Sequence, residues 1–232
     1  MLDKIKYILS LIFVMFFCEV FSQENSMDSY VLNKDIATSN MSNSYLSSNI
    51  VTAIAQDENG VMWFGTRRGL NSFDSYNFEE YNQIDGIINA TITDILPIGD
   101  TLFVGTEKGL CIYNLKNKKT TNYFSETDSL IIPNNHIYSI SDPVNNRITI
   151  CTKGGTSVYD LRTKKFYFPK INNYFPDYEV RSVEYMEYDD SWWIATSKGL
   201  LRYQEENQSL QHFYSVKDIE ETLPDNNLRC IH

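Results

Sequence analysis

The sequence predicts an all-β fold made of small antiparallel sheets repeated along the chain, and three observations carry that prediction. A phrase recurs four times: residues 63–73 read WFGTRRGLNSF, 103–113 FVGTEKGLCIY, 149–159 TICTKGGTSVY and 193–203 WIATSKGLLRY. Aligned on Gly65, Gly105, Cys151 and Ala195, the copies fall 40, 46 and 44 residues apart. Asn49, Asn89, Asn135 and Glu179 each precede the aligned small residue by 16 positions, so the start of each unit keeps step while the loops change length. Within a unit, short apolar and partly β-branched runs alternate with turn signals. Four such strands in roughly 40 residues make one blade of a β-propeller. The expected architecture is about four blades and the start of a fifth, an incomplete ring.

The elements follow in chain order. Residues 1–22 read as a signal peptide: Lys4 and Lys6 form a positive start, Tyr7 to Phe17 is apolar apart from Ser10, and Val20-Phe21-Ser22 offers a cleavage pattern before Gln23. The run is short for a membrane span, and the bulky Phe16 and Phe17 before Cys18 do not suit lipidation. Residues 23–48 are a lead-in, with Tyr30-Val31-Leu32 as a candidate ring-closing strand.

Blade 1 is placed at residues 49–88. Ile50–Gln56 reads as a buried strand, Asp57-Glu58-Asn59-Gly60 as a turn whose Asn-Gly supplies positive φ, and Val61–Gly65 as a second strand. Thr66–Gly69 turns into Leu70–Asp74, and Asn77–Tyr81 is the outer strand. The small residue at 65 suits inner strands that converge on a central channel. Trp63 and Trp193 suit the gap between neighbouring blades, and Gly69, Gly109, Gly155 and Gly199 sit where the chain reverses. Blades 2, 3 and 4 are placed at 89–134, 135–178 and 179–222. Residues 223–232 resemble the opening of a fifth unit, which leads to the expectation of an N-terminal portion of a larger protein.

Composition narrows the function. Twenty Lys and Arg against thirty Asp and Glu give a net charge of −10, with no basic stripe, which argues against nucleic acid and anionic lipid as partners. Beyond Cys18 the chain keeps Cys111, Cys151 and Cys230, with no Cys/His spacing of a zinc site, and no metal or cofactor is expected. The histidines, His136, His212 and His232, form no recognisable set with a nucleophile and a carboxylate, and Asp189-Asp190 reads as a turn. WD40 units share the period but not the Gly-His and Trp-Asp signatures, and the segments are too short for helical repeats.

Residues 46–82 resemble the two-component regulator propeller. The resemblance rests on Gln56-Asp57, Gly60, Trp63-Phe64-Gly65-Thr66, Gly69-Leu70 and Phe73. It extends, more loosely, from about residue 28 to the end; the third unit departs, with Thr149, Cys151 and Thr156 where the first has Trp63, Gly65 and Leu70, and a less tightly packed blade is expected there. In proteins of this kind a signal peptide precedes propellers, a β-sandwich, a membrane helix, a histidine kinase and a response regulator. The resemblance implies a periplasmic, non-enzymatic, oligosaccharide-sensing part of a regulator of polysaccharide use. Its implied partners are an oligosaccharide, the remaining blades and downstream domains of the parent, and a second copy in the full-length sensor. A free-standing secreted propeller that binds glycan or protein is the alternative. A propeller lyase or hydrolase would need a polar cluster over the channel.

Ligand contacts are expected where turns and blade connections share one face, since loops on a rigid scaffold usually carry function. That face would hold Arg67, Arg68, Glu107, Lys108, Lys153 and Lys198, with Asn49, Asn89, Asn135 and Glu179 near the same rim. Cations there suit an acidic sugar and amides suit neutral hydroxyls; ordinary solvated turn residues are the other reading. Trp192 is a candidate stacking platform, because strand alternation points it away from Trp193, and edge packing is its alternative role. His136 follows Asn135 at the same rim.

Overall fold

The computed structural model describes residues 46–88, 91–126, 131–174, 178–217 and 222–231, all within a compact unit that runs from Asn43 to His232. The signal peptide, the strand at Tyr30-Val31-Leu32 and Asn89 lie outside the described residues.

Four antiparallel four-stranded sheets follow one another along the chain. Blade 1 is β1 (Val51–Gln56), β2 (Met62–Thr66), β3 (Gly69–Phe73) and β4 (Phe78–Tyr81). Blade 2 is β5 (Ile92–Ile98), β6 (Thr101–Thr106), β7 (Gly109–Asn114) and β8 (Lys119–Tyr123). Blade 3 is β9 (Ile137–Ile140), β10 (Arg147–Thr152), β11 (Gly155–Asp160) and β12 (Lys165–Tyr167). Blade 4 is β13 (Val180–Met186), β14 (Ser191–Thr196), β15 (Gly199–Gln204) and β16 (Ser209–Phe213). Strand order in every blade is the chain order. The first strands lie side by side, and polar clips join them. Thr52 Oγ1 donates to Ile92 O at 2.6 Å, Ile140 N to Asp94 Oδ2 at 2.7 Å, and Ser139 Oγ to Arg181 O at 2.8 Å. Burial pushes the Asp94 carboxyl above its ordinary value, opposed by the backbone N–H groups of Ile140 and Ile95.

Apolar side chains fill the seams between blades. Trp63 and Leu70 of blade 1 pack with Ile92, Leu102 and Tyr113 of blade 2. Phe103 and Leu110 of blade 2 pack with Ile137, Ile148 and Tyr159 of blade 3. The small aligned residue owes its size to this seam rather than to the channel. A Cβ on Gly65 would stand 2.6 Å from Ile92 Cγ2, and one on Gly105 would stand 2.8 Å from Ile137 Cγ2. Cys151 shares its cluster with Val180, a smaller neighbour than either isoleucine.

The second turn of every blade is closed in the same way. Thr66, Thr106, Thr152 and Thr196 are fully buried. Each hydroxyl donates to the carbonyl of the glycine three residues on, at 3.0, 2.8, 2.8 and 2.7 Å. Each accepts from the backbone N–H two residues on, of Arg68, Lys108, Gly154 and Lys198. Gly69, Gly109, Gly155 and Gly199 have φ between +120° and +142°, which only glycine adopts without strain.

Two expectations are corrected. The strand read as buried at Ile50–Gln56 is largely exposed, with Ile54 at 61% and Val51 at 37%, because no blade flanks its outer face among the described residues. The constant offset of 16 is not a constant register. Val51, Ile92, Ile137 and Val180 pair with Thr66, Thr106, Thr152 and Thr196. Asn49 and Asn135 thus stand two residues before the first paired position, Asn89 three and Glu179 one. Each first strand carries the same irregularity here, so the difference lies in the length of the connection between the first and second strands.

Candidate functional site

A broad open cleft of about 700 Å³ lies where the blade 1–blade 2 connection, the β6–β7 turn and the lead into blade 3 meet. Local sequence shapes its first wall. Asn82 caps a short 3-10 turn, Gln83–Asp85, by accepting from Ile84 N while the Asp85 carboxylate accepts from Asn82 N; Gly86 at φ 82° ends it. Gln83, Gly86, Ile87 and Ile88 then face Glu107 and Lys108 on the turn and Asn122, Phe124 and Glu126 beyond β8. Asn135 closes the cleft. Its Nδ2 donates to both carboxylate oxygens of Glu126, at 2.7 and 2.8 Å, and its Oδ1 accepts from Ser125 N at 2.7 Å. The Asn135 amide holds the Glu126 carboxyl below its ordinary value. Asn122 Nδ2 donates to Gly86 O at 2.8 Å, while Asn122 Oδ1 is buried without a hydrogen-bond partner among the described residues.

A second polar group lies along the first strands of blades 3 and 4. Glu179 Oε2 accepts from Tyr138 Oη at 2.8 Å and Arg181 Nη2 at 3.0 Å, and Lys153 Nζ stands 3.8 Å from Oε1. The His136 ring packs on Tyr138 at 4.6 Å, and the Arg181 guanidinium lies 5.5 Å over the same phenol. Hydrogen bonds from Arg181 and then Tyr138 lower the Glu179 carboxyl, and burial with the Glu179 charge pushes Tyr138 up to about 12. Among the described residues no three His, Cys, Asp or Glu side chains converge as a metal site needs.

Both groups sit on a scaffold that repeats one phrase, and the first copy of that phrase decides the family it resembles. Residues 45–68 match the two-component regulator propeller. No curated protein matches the chain. Among solved structures, the extracellular domain of BT3049 from B. thetaiotaomicron, assigned as a hybrid two-component system, aligns with a TM-score of 0.68 and 26% identity, over 81% of this chain and 26% of that one. The present chain thus spans about a quarter of that protein's length. PorZ, a surface component of the type-IX secretion system of Porphyromonas gingivalis, aligns with a TM-score of 0.53 and 15% identity, over 71% of this chain and 22% of that one, and shares the fold.

The four blades distribute the expected site residues unevenly. Lys108 and Asn135 meet in the cleft, together with Glu107. Arg67 and Arg68 are exposed on the β2–β3 turn, and Asn49 is exposed before β1. Lys153 belongs to the Glu179 group. Lys198 is exposed on the β14–β15 turn, with its ammonium 4.7 Å over the Tyr178 ring. Trp192 is half-buried and lines a separate cleft between blades 3 and 4. Gln83, Asn122, Glu126, Tyr138 and Arg181 were not expected at a site. Tyr138 and Arg181 lie in the strand that follows a singled-out residue, so the adjacency was visible; Asn122 sits in an outer strand, and nothing in the repeat phrase points to it.

Proposed function

We propose that these blades are the ligand-sensing propeller of an exported hybrid two-component regulator of polysaccharide use, and that the cleft around Lys108, Asn122 and Asn135 takes an oligosaccharide. The likeness of the blades to the extracellular domain of a hybrid two-component system, joined to the family match at residues 45–68, is the observation that carries this reading. The cleft supports it in detail. Amides, two carboxylates and an ammonium line it beside Phe124. Arg67, Arg68, Lys153, Lys198 and Asn49 would extend the same rim for a longer or acidic chain. Binding rather than catalysis is the role assigned, and ligand would act by shifting how paired sensor domains pack. No helix among the described residues is long and apolar enough to cross a membrane; the reading assigns residues 1–22 to export.

Titration calorimetry with a panel of plant and host oligosaccharides tests the reading. One class should bind saturably, and Asn122→Leu with Lys108→Ala should weaken it about tenfold or more. A panel with no binder at millimolar concentration, or binding indifferent to both substitutions, would remove the oligosaccharide from this cleft.

A further inference from the structure

We propose that the seam between blades 3 and 4 is a binding site for a small, neutral, planar aromatic molecule. The seams on either side of blade 2 each hold an aromatic side chain at one register position. Trp63 fills the first, in the same cluster as Tyr113, and Phe103 fills the second, with its ring 5.4 Å from that of Tyr159 in an edge-on contact. Thr149 holds this position in blade 3, and Thr156 holds the place of Leu70 and Leu110. The partner tyrosine is kept, as Tyr203 of blade 4. The ring between them is missing, and a cleft of about 410 Å³ takes its place.

Tyr167, Tyr185, Trp192 and Tyr203 give the cleft an aromatic lining, with Asn145, Lys170, Glu205 and Gln208 also at its surface. Tyr185, Trp192 and Tyr203 stand opposite one another across β13, β14 and β15, which aligns them on one face of blade 4. Thr149, Val158 and Tyr167 stand in the matching row across β10, β11 and β12. Residues paired across a sheet share a face, so two rows face each other across the seam. Part of the polar lining is already engaged. The Thr156 hydroxyl donates to Asn172 Oδ1 at 2.9 Å, Tyr185 Oη donates to Asp190 Oδ1, and Arg147 pairs with Asp160. An aromatic ring would restore the stacking that the other seams obtain from the chain itself.

Indole added to the full chain is the test, followed by calorimetry and by methyl resonances of Thr149, Val158 and Ile194. Saturable binding that shifts those methyls is expected, and Thr149→Phe should weaken it about tenfold or more while raising the thermal midpoint. Absence of saturable binding up to the solubility of indole overturns the proposal. So does unchanged affinity in Thr149→Phe, or shifts confined to other blades. If Thr149→Phe does not fold, the methyl map of the unsubstituted chain decides. Oligosaccharide binding near Lys108 does not involve this seam, so either proposal can fail while the other stands.

Discussion

Asp57 Oδ2 accepts a hydrogen bond from Trp63 Nε1 at 3.0 Å, and both residues are buried. The other carboxylate oxygen accepts from Asn59 N and Val61 N, at 2.9 and 3.1 Å. One acidic side chain therefore shapes the first turn of blade 1 and orients the indole that wedges into blade 2. Asp57→Ala should destabilise the protein by about 2–3 kcal/mol in urea unfolding, since it orphans the indole N–H and two turn amides. Asp57→Asn should cost less, because one oxygen remains. Equal losses for the two variants would show that the carboxylate is not acting as this acceptor.

Gly65 is a contact position between blades. Gly65→Ala should cost about 1–3 kcal/mol, because the added methyl meets Ile92 Cγ2 at 2.6 Å. In an Ile92→Ala background the same substitution should cost less, with a coupling of about 0.5 kcal/mol or more in a double-mutant cycle. Additive losses would place the strain within blade 1 instead.

Thr106→Val tests the turn closure. The hydroxyl donates to Gly109 O and accepts from Lys108 N, and the residue is fully buried. Its removal should cost about 1–3 kcal/mol, and Thr106→Ser should restore most of it. Chemical denaturation of the three proteins measures both steps; a valine variant as stable as the original would dismiss the closure.

Thiol chemistry should separate the cysteines. Burial pushes the Cys111 and Cys151 thiols up to about 12, whereas Cys230 is exposed. At pH 8 a thiol reagent should label Cys230 promptly and the other two only on unfolding, as read by mass spectrometry. The linkage sign follows from ordinary values of 9.0. Above pH 9 the unfolded chain gives up these protons while the folded chain keeps them, so stability should fall as pH rises from 9 towards 12. The slope is roughly 1.4 kcal/mol per pH unit for each thiol fully titrated when unfolded. Cys151→Ala should flatten it; an unchanged slope would assign the alkaline loss to other groups.

The parts legible in the sequence are those with local causes. Gly69 and its three equivalents announce their turns because only glycine tolerates their φ. Trp63 announces a seam because an indole in a short strand needs a large apolar partner. Thr149 and Thr156 depart from the repeated phrase, and the cleft between blades 3 and 4 lies against them. What escaped depends on distant partners. The exposure of Ile54 follows from what flanks blade 1, and the displacement of Glu179 from Asn135 follows from a longer connection between the first two strands of blade 4. Asn122 reaches the site because Gly86, 36 residues earlier, lies beside it.

The threonine-and-glycine closure has a consequence for how such a surface can change. Each second turn is sealed beneath by its own buried hydroxyl and needs nothing from the two side chains at its tip. Those tips read Arg67-Arg68, Glu107-Lys108, Lys153-Gly154 and Ser197-Lys198. Chemistry at the first two tips can therefore be rewritten two letters at a time with the frame beneath left undisturbed, whereas Gly154 lies close against Pro133 and Ser197 Oγ accepts from Glu179 N.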